Sequence, residues 1–312
     1  MRESPARTPE PLAYLNGRWL PLSQAGVGVF DVGFVQGVTV AEQLRTFGGK
    51  LFRLEPHLQR LARSLEIVGI ELELTLAELG QIATELVEQN AKLLDPADDQ
   101  GVTIFVTPGT TGAFANLAAY RGPTVGIHTQ PLPFGQWAEK YRTGESLVVT
   151  DVLQVPAACW PAELKCRSRM HYYLADQRAR AIEPGSRALL LDQRGFVTEA
   201  STANILIYLH GAGLVSPPKE HILAGVTVAV VEELAGQLGI PFAQRDLTVA
   251  DVARAGEVLL YSTSPCVWSV IRVNGQIIAD GNPGSVASEL RKAWSQMVGF
   301  DIEAQTQRFA AR

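Results

Sequence analysis

Lysine is scarce in this 312-residue chain, six residues against 21 arginines. One of the six, Lys165, has an unusual setting. It lies in Pro161-Ala-Glu-Leu-Lys165-Cys-Arg-Ser-Arg-Met-His-Tyr-Tyr173, with Arg167 and Arg169 close behind it. Neighbouring positive charge and desolvation both lower a lysine pKa, and a lysine lowered in this way attacks carbonyls to form a Schiff base. Taken alone, a lysine beside arginines reads as a solvated surface charge.

A second segment adds weight. Leu190-Leu-Asp192-Gln-Arg-Gly195-Phe-Val-Thr198-Glu199-Ala-Ser-Thr-Ala-Asn204 reads as strand, glycine turn, strand, polar run and strand. The run Thr-Glu-Ala-Ser-Thr-Ala-Asn sets small polar residues and one carboxylate, Glu199, between two apolar strands. A cofactor floor requires that pattern; the plainer reading is a β-hairpin with an edge glutamate. Three further segments suit an anion. Arg60, in His57-Leu-Gln-Arg60-Leu61, offers a planar fork of donors for a phosphate. Gly225-Val226-Thr227 opens a helix, whose first N–H groups bind anions. Thr263, in Ser262-Thr263-Ser264, follows a strand. Each has a bland counterpart: a surface arginine, a glycine turn, a strand-end turn.

The spacing from Lys165 to Val197-Thr-Glu199-x-Ser-x-x-Asn204, with the other segments in order, resembles the class IV aminotransferases. These fold-type IV pyridoxal-phosphate (PLP) enzymes include branched-chain and D-amino-acid aminotransferases and 4-amino-4-deoxychorismate lyases. The resemblance runs from about Tyr14 to the last helix. It implies an α+β, two-domain fold, D-amino-acid aminotransferase-like, with a small N-terminal domain over 1–130 and a larger PLP-binding domain with a barrel-like sheet over 131–312. It implies Lys165 as the Schiff-base lysine and Glu199 as the carboxylate on the pyridine nitrogen, where it keeps the ring protonated and able to accept electrons. Arg60, Thr263, Gly225 and the N–H groups of Val226 and Thr227 are the implied phosphate ligands. The implied reaction moves an amino group from an amino donor to a 2-keto acid, in a homodimer whose subunits close each other's sites.

Departures from the family pattern limit the transfer. Branched-chain enzymes carry a tyrosine five residues after the lysine, where this chain has Met170. D-amino-acid enzymes have a tyrosine where Phe34 stands, and a carboxylate-gripping arginine where Val106-Thr107 is followed by Pro108. Arg45, Arg167 and Arg169 are the candidates to read a substrate carboxylate, Arg45 being preferred. Arg169, four residues after the lysine, matches some lyases of the family, so a pyruvate-eliminating lyase stays open. A non-catalytic relative of the fold is the third reading.

The elements that must position these groups follow from local patterns. Asn16-Gly17, Gly48-Gly49 and Asn274-Gly275 predict hairpin turns. Helices are expected over about Glu55 to Val68, from Thr75-x-x-Glu78 to about Leu94, over Met170 to Ile182, over Thr227 to Leu238, after Thr248, and after Pro283. Strands are expected at Val40 to Phe47, Val102 to Thr107, Thr124 to His128, Leu147 to Leu153, Ala188 to Asp192, Asn204 to Leu209 and Glu257 to Ser262. Pro131-Leu-Pro-Phe-Gly135 reads as the interdomain linker.

Composition sets the outer bounds. With 46% apolar residues and a net charge of −5, the chain can bury a core and offers no basic face for nucleic acid. No apolar run approaches the roughly 20 residues of a membrane span. Met1 to Glu10 reads as a loose polar tail, and the expected location is cytoplasmic. Cys159, Cys166 and Cys266 suggest reduced thiols rather than a disulfide framework, and His57, His128, His171, His210 and His221 lack metal-ligand spacing.

Overall fold

The computed structural model describes residues 9–117, 120–223 and 225–311. Most of the expected N-terminal tail and Ala224 of the helix-opening run therefore lie outside the described residues. The chain divides into two compact units, Met1–Leu132 with Cys166–Ser168, and Pro133–Lys165 with Arg169–Arg312.

The first unit contains β1 (Leu12–Leu15), β2 (Arg18–Pro21), α1 (Val32–Val35), β3 (Val40–Phe47), β4 (Lys50–Leu51), α2 (Leu54–Val68), α3 (Leu76–Ala91), β5 (Gln100–Thr107) and β6 (Thr124–Pro131). Its sheet has the order β2-β1-β6-β5-β3-β4, with neighbours antiparallel. Asn16 and Gly17 both take positive φ, as a two-residue hairpin turn demands. Leu58, Leu61 and Leu65 of α2 are buried at helical spacing. Thr75 and Glu78 form a reciprocal capping box at the start of α3. Asn90, near the end of α3, donates to Leu12 O and accepts from Leu12 N, which docks that helix on the edge of β1.

The second unit contains α4 (Phe134–Thr143), β7 (Glu145–Val149), α5 (Met170–Ile182), β8 (Arg187–Leu191), β9 (Val197–Ala200), β10 (Asn204–Leu209), β11 (Gly213–Ser216), α6 (Val226–Gln237), β12 (Phe242–Gln244), α7 (Val249–Ala253), β13 (Glu257–Ser262), β14 (Cys266–Val273), β15 (Gln276–Ile277), α8 (Ser285–Val298) and α9 (Ile302–Arg308). The mixed sheet runs β12-β11-β10-β13-β14-β7-β8-β9, with β15 on β14. A bridge between Ala200 and Ala203 brings β9 back beside the start of β10, so the row of strands turns in on itself. Parallel pairing of β7 with β14 and β8 explains the continuous apolar runs, since strands covered on both faces lose alternation. Helix α5 packs on β7 and β8 through Ala175 and Ala179 against Val148, Ala188 and Leu190, and Tyr172 joins this cluster.

Two expectations need correction. The division between the units falls within Pro131–Gly135, after Leu132, but the connection is shorter than expected: β6 ends at Pro131 and α4 begins at Phe134, leaving only Leu132 and Pro133 between them. Phe134, Trp137 and Tyr141 bury one face of that helix, and their i, i+3, i+7 spacing outweighs the two prolines. The strand expected over Leu147 to Leu153 is Glu145–Val149. The segment beyond it is held instead by a bond from Gln154 N to Leu191 O, 2.9 Å.

Candidate active site

Glu199 is the centre of the second unit's polar chemistry. All four residues of β9 are buried, and a register shift between Leu189 and Leu191 marks a bulge in its pairing with β8, an irregularity common beside sites. The carboxylate is 4% exposed and is met by four donors. Oε1 accepts from Gln154 Nε2 at 2.5 Å and from the Tyr172 hydroxyl. Oε2 accepts from Asn204 Nδ2 and from Leu223 N, both at 3.3 Å. All four are neutral groups. Burial therefore pushes the Glu199 carboxyl above the usual carboxylate range, while these hydrogen bonds and the charge of Lys165 pull against it. The Tyr172 hydroxyl is held well above its ordinary value, first by burial and next by Glu199, so it faces the carboxylate as a neutral donor.

Lys165 lies in an irregular, half-buried stretch between Pro161 and the start of α5. Arg169 occupies the N-cap position of α5, and its charge is felt at both His171 and Tyr172. It therefore shares the electrostatic neighbourhood of Tyr172 and Glu199. Arg167 behaves differently. Its side chain is exposed, its backbone N–H bonds Thr39 O at 2.8 Å, and its charge is felt at His128 of the first unit.

The helix opening and the strand end meet. Gly225 caps α6 without a side-chain bond, and the amides of Val226 and Thr227 fall in the first turn, where a helix has no carbonyl to offer them. The Thr227 and Thr263 hydroxyls are 3.1 Å apart. Two links tie this pair to Glu199. Leu223, which donates to the carboxylate, stands two residues before Gly225, and Asn204 also donates to Leu223 O at 3.2 Å. Across the sheet Asn204 faces Tyr261, two residues before Thr263. The paired hydroxyls at the start of α6 and the buried carboxylate thus share one scaffold.

In the first unit Arg60 lays Nε and Nη2 on Glu42, each at 2.7 Å, and His57 Nδ1 joins the same carboxylate at 2.8 Å. Glu42 is fully buried and the Arg60 side chain is 13% exposed, so Arg60 is not an ordinary surface arginine. Arg45 departs from the preferred expectation. It is 0% exposed, donates from Nε to Thr46 O at 2.9 Å, pairs with Asp99 at 3.8 Å and stacks on Phe47. Asp99 in turn accepts from Gly48 N and Gly49 N. Arg45 is thereby engaged as the counter-ion of the carboxylate that holds this hairpin, which weighs against a role in reading substrate.

Three partners of Glu199 were missing from the sequence-derived site. Tyr172 stands two residues after Met170, the 70% exposed residue at the position where the branched-chain pattern has its tyrosine, and it reaches Glu199 instead. Asn204 closes the small polar run that carries Glu199, five residues on, and donates to its carboxylate. Gln154 comes from an irregular stretch with no local signal.

The sequence matches the amino-transferase class IV family over residues 39–273, and the chain belongs to that family. A protein of Methanocaldococcus jannaschii provisionally named a branched-chain-amino-acid aminotransferase is 27% identical over 286 residues, covering 91% of this chain and 95% of that protein. D-alanine aminotransferase of Bacillus licheniformis is 28% identical over 280 residues, covering 89% and 94%. Among solved structures, the T.th. branched-chain amino acid aminotransferase with pyridoxamine 5′-phosphate superposes with a TM-score of 0.83 at 24% identity, covering 95% of this chain and 97% of its own. The fold is that of fold-type IV, the chain is a class IV aminotransferase, and its cofactor is pyridoxal 5′-phosphate.

The residues present suit that cofactor. A desolvated carboxylate surrounded by neutral donors gains from a cationic ring nitrogen, and paired hydroxyls with first-turn amides gain from a phosphate.

Proposed function

We propose that this aminotransferase takes 2-amino acids as donors and 2-keto acids as acceptors, with Lys165 and Glu199 as its catalytic residues. The observation that carries the reading is the buried Glu199 carboxylate, whose four donors are all neutral and which is tied through Leu223 to the start of α6. When bound, PLP supplies an electron sink for the bond being broken. Lys165 Nζ would hold the cofactor until the donor's amino group takes its place there, and the lysine amine so freed would then move the substrate's α-proton as base and acid. Glu199 keeps a proton on the ring nitrogen. Gly225, the amides of Val226 and Thr227, and the Thr263 hydroxyl orient the phosphate; Arg60 is carried as a further ligand on the resemblance. For the substrate carboxylate we favour Arg169, because it stands at the N-cap of α5, three residues before Tyr172, whose hydroxyl meets Glu199.

The domains are proposed as 1–130 and 131–312, supported by a contact division after Leu132. A homodimer is supported by the apolar loop Val27, Val29, Phe30, Phe34 and Val35, each more than 40% exposed. Such a contiguous patch marks an interaction surface. No described helix is long and apolar enough to cross a membrane, and a cytoplasmic location agrees with cysteines that form no disulfide among the described residues.

The test is a panel of D- and L-amino acids added to the PLP-loaded enzyme, read as the absorbance change to the pyridoxamine form with release of the matching keto acid. Conversion by one stereochemical series names the donor class. Pyruvate release from 4-amino-4-deoxychorismate without that change marks a lyase, and no reaction with any amine marks a non-catalytic relative.

A further inference from the structure

Glu199 is loaded unequally. Oε1 takes two short bonds, from Tyr172 and Gln154, whereas Oε2 takes two long ones, both 3.3 Å. A carboxylate oxygen offers about two lone-pair directions, and both oxygens fill them, but the two 3.3 Å bonds on Oε2 are weak and leave it the oxygen able to take a further, stronger donor. Resting on the assignment of Glu199 to the ring nitrogen, we propose that Tyr172, seconded by Gln154, is a positioning residue that holds Glu199 ionised and turns Oε2 toward the cofactor's ring nitrogen.

The physical reason is the division of one proton between two bases. A carboxylate and a pyridine nitrogen that share a proton keep it on nitrogen only while the carboxylate is the weaker base. Hydrogen bonds to the charged form weaken it as a base, and bonds to an ionised acceptor are the strong ones. Tyr172 is suited to this task. Its ring packs with Val148 and Leu190, Ala175 and Ala179 on the α5 face, which fixes the direction of its hydroxyl. Among the described residues, the neighbouring charged and titratable groups are Lys165 and the buried Tyr261 on the Glu199 side, Arg169 on the Tyr172 side, and the His171 ring 4.0 Å from the Tyr172 ring. Gln154 donates to the same oxygen and stands 3.4 Å from the Tyr172 hydroxyl, so the two residues brace one another.

The experiment loads wild type, Tyr172→Phe, Gln154→Leu and Glu199→Gln with PLP labelled by 15N at the ring nitrogen. It records the nitrogen chemical shift, cofactor affinity and kcat. Tyr172→Phe keeps the ring packing and removes one charge-assisted bond. The expected result is a nitrogen shift moved toward neutral pyridine, kcat lower by about tenfold or more, and cofactor affinity changed by less than about threefold. Gln154→Leu moves the shift the same way and supplies the answer if Tyr172→Phe does not fold. A variant that folds, binds PLP and retains the wild-type nitrogen shift overturns the proposal, whatever its activity. If Glu199→Gln also leaves the shift at its wild-type value, Glu199 does not face the ring and the underlying assignment fails. If Glu199→Gln neutralises the ring while Tyr172→Phe and Gln154→Leu do not, only the role of Tyr172 and Gln154 fails.

Discussion

The hydroxyl oxygens of Thr227 and Thr263 stand 3.1 Å apart, one from the first turn of α6 and the other from the residue after β13. Two hydroxyls at that distance, beside helix amides without carbonyl partners, form a donor cluster for an anion. Thr263→Val keeps the side chain's volume and removes one donor, so PLP affinity should fall about tenfold, from a loss of about 1.5 kcal/mol. Arg60→Ala is expected to weaken PLP by roughly one to two orders of magnitude. Titration of cofactor-free protein with PLP measures both; affinities equal to wild type would remove these residues from the phosphate site.

Borohydride reduction of the PLP-loaded enzyme should fix the cofactor to the peptide containing Lys165. Mass spectrometry locates the label, and attachment to any other lysine refutes the assignment.

Glu199 gives the cofactor-free protein a pH signature. Its folded-state pKa is raised above the ordinary 4.5, chiefly by burial. Below 4.5 the carboxyl is protonated in both folded and unfolded states and costs nothing. As pH rises, the unfolded chain ionises first, so stability falls until the folded-state pKa is passed. Glu199→Gln cannot titrate. The melting temperature of cofactor-free wild type minus that of Glu199→Gln should therefore decrease from about pH 4 upward. A difference that is flat or grows with pH contradicts the described environment.

Arg169→Ala should raise KM for amino-acid donors while sparing turnover of 1-phenylethylamine, an amine without a carboxylate, where that amine is a donor. Arg45→Ala should behave differently. Removing the cation beside the buried Asp99 is expected to cost about 3 kcal/mol of stability, seen in denaturant unfolding, with no discrimination between the two donors. If Arg45→Ala alone discriminates between them, the two roles are reversed.

Replacing Val29 and Phe34, which are 66% and 73% exposed, with glutamate should convert a dimer to monomers in light scattering. A variant that stays dimeric would place the subunit contact elsewhere.

What the sequence revealed follows the range of the interactions involved. The Thr75–Glu78 box, the Asn16-Gly17 turn and the start of α5 at Met170 are set within a few residues, and each occurs where local pattern places it. The strands were legible as apolar runs, but the ends of β7 depend on β8 and β14, which lie far along the chain. The start of helix α4 was hidden because Pro131 and Pro133, at the division between the units, make the connection look longer than it is, although Phe134, Trp137 and Tyr141 carried the helix's period. At the site, Glu199 stood out as a lone carboxylate in a small polar run. Its partner Gln154 could not, because an irregular segment carries no period. The surroundings of Arg45 were hidden for the same reason: its partner, Asp99, arrives on the approach to β5, and nothing near Arg45 in sequence announces it.

Asp31 accepts from Gly33 N at 2.7 Å, from Thr107 Oγ1 at 2.6 Å and from Thr124 Oγ1 at 2.7 Å, and so fastens the apolar 27–35 loop from beneath. A Cβ at Gly33 would come within 2.3 Å of the Thr107 methyl, so that residue too is fixed. The segment's shape is therefore decided at the buried Asp31 and at Gly33, which is packed against Thr107, and its outward side chains carry little of the folding burden. Such a segment can exchange its exposed residues over evolutionary time, or in a designed library, with small loss of stability. In this molecule the capacity to acquire a new binding partner resides in a few outward positions rather than in the fold.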